Sequence, residues 1–492
     1  MNRQRFLVLV TAIILIVISW FGVFKARSGL VVRSLTANDI PMIFIAPKNS
    51  DPVPGVLIAH GFAGSKQLML GYGYTFAQAG YGSLLWDFSG HGANPAPLNM
   101  ETLQPDLEVA YQALTEQPEV DPERLAILGH SMGSSAVMTA SIEQRDRFDA
   151  TIAVSPTRAE VTADKPANLQ LQVGSGEGQF VESARNLLKT AGGKNQNLAE
   201  GRGRKLIVVP KVEHITILFS DISHQSALQW LNQTFNQFKT SSYMDRRIGW
   251  YGLHLIGGLM ALAAIVPCFA APAIQQAFLK LKPWQNWGGL LAAPLAATAG
   301  VSLISRGVEL ENLGGLKVGG ALGIWFCLGG LIWLGVQGLW PIKKRWYGQF
   351  SPARTVSMGL LVFVLLWFAF GAMAQVVWVQ WWLIPARLQL WPLLSLACLP
   401  WFLASGIAQQ EIGIGKRILW WLGQTVVLIA GLVWTISLIP QLGFIFLLLP
   451  IFPIFFGILS FVAVYVKNAW SYGIGSALFF GWSLAAAFPL VA

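Results

Sequence analysis

The second half of this chain is almost entirely apolar, and this feature restricts the folds open to it. Between residues 248 and 492 hydrophobic runs rich in Trp and Phe follow one another, whereas residues 34–245 carry charges every few positions. The change is abrupt and falls at Asp245-Arg246-Arg247. Of the 492 residues 54% are hydrophobic and 12% are charged, against about 25% charged residues in soluble proteins. The pattern predicts at least two domains, of which one lies in a membrane.

Nine apolar runs are long enough to cross a bilayer core as helices. The first, Phe6–Phe24, follows Arg3 and Arg5 and lacks the short apolar core and small-residue cleavage site of a signal peptide, which favours an uncleaved anchor over a cleaved signal. Eight further spans are predicted at 250–271, 288–304, 318–341, 356–379, 389–408, 418–438, 442–466 and 470–491. We therefore expect an anchor at residues 1–33, a charged domain at 34–245 and an all-α transmembrane domain of about eight helices at 246–492.

The loops between these spans alternate in charge. One set carries Lys280, Lys282, Lys343, Lys344, Arg345, Arg354, Lys416, Arg417 and Lys467. The other set carries Arg306, Lys317, Arg387 and the uncharged connection 439–442. The positive-inside rule makes the first set cytoplasmic, which places residues 34–245 outside the cytoplasm, on a plasma or bacterial inner membrane. The cations that flank this domain, Lys25, Arg27, Arg33, Arg246 and Arg247, disagree, but the alternation repeats over several loops and carries more weight.

The net charge of +10 belongs to this membrane pattern. The charged domain has no basic stripe with interleaved aromatic residues, so nucleic acid is not an expected partner. Cys268, Cys327 and Cys398 lie in apolar runs without metal-ligand spacing. The other polar residues of the apolar half fall mostly at span ends or in loops, where we expect them to be solvated: His254, Arg306, Glu309, Glu311, Gln375, Gln380, Arg387, Glu411 and Gln424.

Residues 34–245 alternate between short apolar runs and helical patterns. Strands are predicted at 41–47, 55–60, 81–88, 125–129, 150–154, 169–173 and 205–209, and helices at 66–79, 103–117, 134–144, 180–190 and 222–238. Strands without polar alternation are typical of a parallel sheet covered on both faces. In such sheets ligands bind beyond the carboxyl ends of the strands.

One strand end carries a motif with a chemical meaning. A predicted strand enters Gly129-His130-Ser131-Met132-Gly133 directly, and a helix follows. This is the G-x-S-x-G elbow in its strand-turn-helix context, in which a strained turn exposes the serine hydroxyl. Side chains at 129 and 133 would collide because the turn brings the strand and helix backbones together. Ser131 is therefore the candidate nucleophile.

On these residues, positions 35–240 resemble the α/β-hydrolase superfamily, with its serine peptidase and dienelactone-hydrolase-like branches the most similar in style. The resemblance implies a doubly wound, mainly parallel sheet and a chain order of serine, acid and histidine. It implies no cofactor and no metal ion. The apolar half of the chain has no part in the resemblance.

The resemblance also implies the remaining site residues. The backbone amides of Phe62, in His60-Gly61-Phe62-Ala63-Gly64, and of Met132 would form the oxyanion hole. His214 would be the base and Glu177 the acid, although the family more often has Asp at that position. Asp164 and Glu182 are less well placed. Of the other histidines, His91 is expected to be structural and His224 to lie on a solvated helix face.

These features predict a membrane-bound serine hydrolase that cleaves an ester, thioester or amide through an acyl-enzyme. An esterase is favoured over a peptidase by a small margin, and the substrate would be a small-molecule or lipid-like acyl compound. Residues 155–168 leave room only for a short loop, without the helical lid of many lipases. The apolar half is expected to anchor the enzyme among membrane lipids. The alternatives are a transporter or lipid-handling protein with an accessory hydrolase domain, and a catalytically inactive scaffold. The pattern names neither the acyl and leaving groups nor the oligomeric state.

Overall fold

The computed structural model describes residues 1–48, 51–237, 241–269, 281–338, 351–410 and 412–492. Within these ranges the chain divides into two compact units. One unit comprises Ser19–Gly252 together with Ala374–Trp382, and the other comprises Met1–Ile18, Leu253–Met373 and Leu383–Ala492. Several of the polar residues named above lie outside the described residues: Lys280, Lys343, Lys344, Arg345 and Glu411.

The first unit contains a sheet whose eight described strands are β1 (Leu30–Ala37), β2 (Ile40–Pro47), β3 (Val53–Ala59), β4 (Gly82–Trp86), β5 (Val120–His130), β6 (Ala150–Val154), β7 (Leu169–Gly174) and β8 (Arg204–Val209). Their order across the sheet is β1-β2-β4-β3-β5-β6-β7-β8. The six strands from β3 to β8 run parallel, whereas β2 runs antiparallel to both of its neighbours. The predicted mainly parallel sheet is confirmed.

Helices cover both faces of this sheet. After α1 (Arg3–Lys25), the chain forms α2 (Leu70–Gln78), α3 (Leu103–Thr115), α4 (Met132–Glu143), α5 (Gln179–Thr190) and α6 (Asp221–Phe235). Alternate residues of β3 enter different cores: Val56 and Ile58 pack with α2 and α6, and Leu57 and Ala59 pack with α3 and α4. This period of two places an apolar layer on each face and explains why the strand has no polar alternation. We refer to Leu30–Phe235 as the sheet domain.

Strand β1 is absent from the sequence predictions. It pairs antiparallel with β2 along its whole length, and the two are joined by Asn38 and Asp39, both with positive φ. A two-residue turn of this kind is typical of tight hairpins. The Asn-Asp pair was the available signal, and it was obscured because β1 lies only a few residues after the apolar run of α1.

The remaining described helices belong to the apolar half: α7 (Arg247–Phe269), α8 (Pro283–Ile304), α9 (Gly319–Val336), α10 (Pro352–Leu366), α11 (Met373–Val377), α12 (Pro385–Ala408), α13 (Ile414–Leu438), α14 (Ile445–Leu448), α15 (Phe452–Tyr465) and α16 (Ala469–Ala487). Together with α1, eight described segments are helical, long and apolar enough to cross a membrane, with Pro352–Val377 and Pro440–Tyr465 each counted as one. These segments indicate a multi-pass membrane protein. Helix α16 occupies the last predicted span but is not one of the eight, since Gly, Ser, Trp and Tyr lower its mean hydropathy.

Of the polar residues named in the apolar half, four that the structure describes are buried, so the prediction that they are solvated is wrong for them: His254, Gln380, Arg387 and Gln424. Arg387 donates hydrogen bonds to the carbonyls of Ala485 and Phe488, at 2.7 and 2.6 Å. Gln424 is buried and accepts a hydrogen bond from Ser405 Oγ at 3.1 Å. The carbonyls at the end of α16 have no intrahelical donor, so the guanidinium satisfies them inside the protein.

Candidate active site

The candidate nucleophile sits on a sharp turn between β5 and α4. Ser131 takes φ 52° and ψ −116°, outside the regions that a side chain ordinarily favours. A Cβ atom on Gly129 would lie 2.2 Å from the carbonyl oxygen of Gly133, and one on Gly133 would lie 2.5 Å from that of His60. Both contacts are too short for any side chain. The predicted reason is confirmed for Gly129, whereas at Gly133 the close neighbour is the end of β3 and not the turn itself.

The structure brings Ser131, His214 and Glu177 together from three separate loops. His214 lies in the loop after β8, and its Nε2 is 3.0 Å from Ser131 Oγ. Its Nδ1 is 2.8 Å from Glu177 Oε2, in the loop after β7. With Nδ1 protonated against the carboxylate, Nε2 is left to accept the serine proton. The three side chains therefore form a continuous hydrogen-bonded chain at the carboxyl edge of the sheet.

The second carboxylate oxygen of Glu177 is held by the protein itself. Oε1 accepts hydrogen bonds from the Gly174 amide at 2.6 Å and from Ser155 Oγ at 2.9 Å. These donors stabilise the charged carboxylate and orient it toward the imidazole. The sequence pattern did not indicate a role for Ser155. Its position directly after β6, at the same sheet edge, was the signal that could have found it.

Two rings surround His214. Phe180 lies against it with ring centroids 4.5 Å apart, and His130 lies on it at 4.8 Å. His130 Nε2 is also 2.9 Å from the His214 carbonyl oxygen and donates to it. The side chain that precedes the candidate nucleophile therefore holds the backbone of the candidate base.

The loop after β3 lies against the elbow. A Cβ atom on Gly61 would be 3.1 Å from Ser131 Cβ, which places Gly61 and its neighbour Phe62 beside the serine. Met132 begins α4 on the other side of Ser131. His60 shapes this loop, since its Nδ1 donates to the Gly61 carbonyl at 2.7 Å while its Nε2 accepts from the Phe88 amide at 3.1 Å. The loop and the elbow thus bring the two predicted oxyanion-hole residues to the serine.

A buried ion pair joins this loop to the one after β4. Asp87 pairs with the ammonium of Lys66 and accepts hydrogen bonds from the amides of Lys66 and Ala93, at 2.7 and 2.8 Å. Both side chains are buried. A buried charge pair of this kind is retained only with further hydrogen bonds, which the two amides provide. The pair ties together the two loops that border the site.

The other candidate acids lie elsewhere. Asp164 pairs with Arg202 at 2.8 Å, and Glu182 pairs with Arg185 on α5, also at 2.8 Å. All four side chains are about half exposed or more. His91 is buried, with Nδ1 2.9 Å from the Ser89 carbonyl oxygen.

The prediction that His224 lies on a solvated face is wrong. The ring is buried against Tyr72, with centroids 4.5 Å apart, and Nε2 donates to the Leu218 carbonyl at 2.9 Å. Helix α6 packs that face onto α2, and a hydrogen bond to the carbonyl compensates for the lost solvation of the ring.

Residues 155–168 contain no helix, as predicted, so the connection between β6 and β7 provides no helical lid. Among the described residues no group of three or more His, Cys, Asp or Glu side chains is arranged to hold a metal ion.

A family comparison covers part of the sheet domain. Residues 50–191 match the model of the family described as "Serine aminopeptidase, S33", a stretch that includes Ser131 and Glu177 and ends before His214. Strand order, elbow and family match coincide on the same residues. The sheet domain is an α/β-hydrolase domain.

Similar proteins match part of this chain. An uncharacterized protein of Mycobacterium tuberculosis, found in two strains, is 30% identical over 91 residues, or 18% of this chain. The match spans 32% of that protein's length. A putative dienelactone hydrolase from Klebsiella pneumoniae is 16% identical with a TM-score of 0.35, and covers 42% of this chain and 99% of its own. Est1E from Butyrivibrio proteoclasticus is 15% identical with a TM-score of 0.33, and likewise covers 42% and 99%.

Three buried histidines give the hydrolase domain an expected acid sensitivity. Burial lowers the pKa of His60, His130 and His224 below the ordinary value, most strongly at His130, where the neighbouring His214 adds to the effect. The folded state therefore keeps these rings neutral while the unfolded state takes up protons as the pH falls below about 6.5. The stability that they contribute is present above that pH and is lost on acidification.

We expect the thermal unfolding midpoint of the full-length protein in detergent to decrease as the pH is lowered from 7.5 to 5.5. Each such histidine contributes a slope of about 1.4 kcal/mol per pH unit within the window. His224→Gln keeps a side-chain donor for the Leu218 carbonyl but does not titrate. The unfolding midpoint of this variant should therefore depend less steeply on pH. An equal dependence in both proteins would contradict this account.

Proposed function

We propose that the protein is a membrane-bound serine hydrolase that cleaves an ester, thioester or amide bond through an acyl-enzyme. The observation that carries the proposal is the hydrogen-bonded chain from Ser131 Oγ through the His214 imidazole to Glu177, at 3.0 and 2.8 Å. Nucleophile, base and orienting acid stand in the geometry that activates a serine hydroxyl.

In the first half-reaction Ser131 Oγ attacks the carbonyl carbon of the substrate while its proton passes to His214 Nε2. Glu177 orients the imidazole and stabilises its cation without taking the proton. The negative charge on the former carbonyl oxygen is received by the amides of Phe62 and Met132, each worth about 3 kcal/mol in comparable sites. His214 then returns the proton to the leaving group, which departs and leaves Ser131 acylated.

In the second half-reaction water takes the place of the leaving group. The water oxygen attacks the acyl carbon while His214 accepts a proton from the water. The amides of Phe62 and Met132 again receive the negative charge on the carbonyl oxygen. The bond to Ser131 Oγ breaks, the serine regains its proton, and the carboxylic acid leaves.

For the substrate we propose a lipid-like or small-molecule acyl compound. The eight candidate membrane spans found in the described residues support this choice, because they hold the enzyme where apolar acyl compounds concentrate. A peptidase is the second candidate, supported by the description of the matched family as a serine aminopeptidase. An assay panel should therefore pair acyl esters of increasing chain length with aminoacyl anilides.

We also propose that residues 1–33 anchor the enzyme, that 34–245 form the hydrolase domain on the extracytoplasmic side, and that 246–492 form the transmembrane domain. The alternation of loop charge supports this orientation. The parity of the spans supports only that Arg247 and Val376 lie on the same side of the membrane, and the loop charges indicate which side that is. Arg247, at the start of α7, donates to the Val376 carbonyl at 3.3 Å, and the described residues hold four candidate spans from the one to the other. An even number of crossings returns the chain to the side from which it started.

A fluorophosphonate that cannot cross membranes tests both proposals in one experiment. Added to intact cells that express the full-length protein, it should label Ser131, and Ser131→Ala should abolish labelling. Ser135→Ala, one turn further along α4, is the matched control and should label normally. Labelling that survives Ser131→Ala would overturn the hydrolase assignment. Labelling of the unaltered protein only after lysis would overturn the orientation alone.

A further inference from the structure

A cavity of about 370 Å³ lies within the first compact unit, and neither Ser131 nor His214 lines it. Its walls come from β1 and β2, from the start of α2 and from the segment 374–382. Volumes of this size are typical of sites for small molecules and headgroups. Among the described residues that line it, the charged ones are Arg27 and Lys66, and both are cations.

A chain of glutamines on one wall leaves an acceptor without a partner. Gln375 Oε1 accepts from the amides of Trp381 and Trp382, at 2.7 and 2.9 Å, so its Nε2 must be the group that donates to Gln380 Oε1. Gln380 Nε2 donates to the Trp382 carbonyl at 2.8 Å. Backbone groups thus settle both amide orientations.

Gln67 must then donate its Nε2 to Gln380 Oε1, at 2.6 Å. Its own Oε1 is buried with no hydrogen-bond partner among the described residues. Gln67 is 2% exposed and lines the cavity. A buried acceptor of this kind costs free energy unless a donor reaches it. The cavity therefore favours a ligand with a hydroxyl or another hydrogen-bond donor.

The two cations favour an anionic group in the same ligand. Arg27 is exposed, uses its Nε toward Tyr74 OH at 3.2 Å, and has no carboxylate partner in the described ion pairs. Lys66 donates one of its three ammonium protons to Asp87 in a hydrogen bond, which leaves two for a ligand. Guanidinium and ammonium groups together suit phosphate oxygens.

Covalent continuity places the cavity where membrane spans end. Arg27 follows the last residue of α1, Lys25, by two residues, and Gln375 and Gln380 bracket the end of the span Pro352–Val377. Span ends lie at the level of lipid headgroups. Leu70, Met42 and Val376 add apolar lining for the part of a lipid next to its headgroup.

We propose that this cavity binds the headgroup of an anionic phospholipid that carries free hydroxyls, of the phosphatidylglycerol type. The phosphate accepts hydrogen bonds from Arg27 and Lys66, and a headgroup hydroxyl donates to Gln67 Oε1. The site is distinct from the hydrolytic one and does not depend on the proposed catalytic function.

Native mass spectrometry of the full-length protein in detergent tests the proposal. Phosphatidylglycerol should bind about tenfold more tightly than phosphatidylcholine, and more tightly than phosphatidic acid, which lacks the headgroup hydroxyls. Arg27→Gln should lower the affinity for phosphatidylglycerol about tenfold. Gln67→Met should remove the preference over phosphatidic acid. The matched control is Lys25→Gln, which removes a cation two residues from Arg27 outside the cavity and should leave the affinity unchanged.

Unfolding midpoints show whether each variant is folded, and Arg27 and Lys25, both exposed, should tolerate substitution. Equal losses in Arg27→Gln and Lys25→Gln would overturn the proposal in favour of general surface charge. Displacement of the lipid by free glycerol 3-phosphate at a similar concentration would overturn the assignment to a lipid.

Discussion

Replacing His214 with alanine is expected to lower the turnover number on acyl esters by about a million-fold. Without the imidazole 3.0 Å from Ser131 Oγ, no group accepts the serine proton as the attack proceeds. Loss of the base alone costs about as much as loss of the whole triad in enzymes of this kind, because the members act as one unit. The residual rate would come from the oxyanion hole and from substrate binding.

Hydrolysis of p-nitrophenyl esters by the purified full-length protein measures this effect. Lys211→Ala changes an exposed side chain in the same loop and serves as the control, with an unchanged rate expected. Ser131→Ala combined with His214→Ala should be no slower than either single variant. A loss of less than tenfold in His214→Ala would show that another group is the base.

Replacing Glu177 with glutamine is expected to lower turnover by about ten thousand-fold, while the fold is retained. The reason lies in the donors around the carboxylate. The Gly174 amide and Ser155 Oγ both donate to Oε1, so a glutamine at this position would place its carbonyl oxygen there. Its NH₂ would then face His214 Nδ1, which would have to accept. Nε2 would carry the proton and could no longer take one from the serine.

The control for this substitution is Glu213→Gln, which neutralises a carboxylate next to His214 in sequence. Glu213 accepts hydrogen bonds from the amides of Ile215 and Thr216, at 2.9 and 2.8 Å, and has no contact with the imidazole in the described hydrogen bonds. We expect its turnover to change by less than tenfold. The turnover of Ser155→Ala should lie between those of Glu177→Gln and Glu213→Gln, since this substitution removes one of the donors to Glu177 Oε1. Equal turnover in Glu177→Gln and Glu213→Gln would exclude Glu177 as the orienting acid.

The two halves of this protein differ in how far local patterns describe them. The strands from β2 to β8 are predicted from their apolar runs, because a strand buried on both faces has no polar alternation to confuse with other structure. Strand β1 is missed, since its apolar residues continue the pattern of α1 and its pairing with β2 is a tertiary contact. In the apolar half the corresponding error is the prediction that Arg387 is solvated. A cation near a span end is expected in water, and only the approach of the α16 carbonyls places it inside the protein.

The same distinction applies to the candidate site. Gly129 is explained by its own turn, because a Cβ atom there would meet the Gly133 carbonyl. Gly133 is required by the His60 carbonyl, which only the packing of the β3 end against the elbow brings close. His214 and Glu177 are nominated by strand order and family resemblance, but the distances that join them to Ser131 depend on how the loops after β7 and β8 fold. Ser155 and the ring of His130 enter only through those contacts.

Local sequence alone determined the strand-turn-helix that presents Ser131, the apolar spans and the alternation of strands and helices, because each depends on residues close together in the chain. Tertiary structure alone decided the hydrogen-bonded chain through His214 to Glu177, the burial of Arg387 and His224, and the cavity beside Gln67. In the last case the partners are 313 residues apart, at Gln67 and Gln380. No local pattern encodes such a contact, because its free energy comes from groups that meet only when the whole chain has folded.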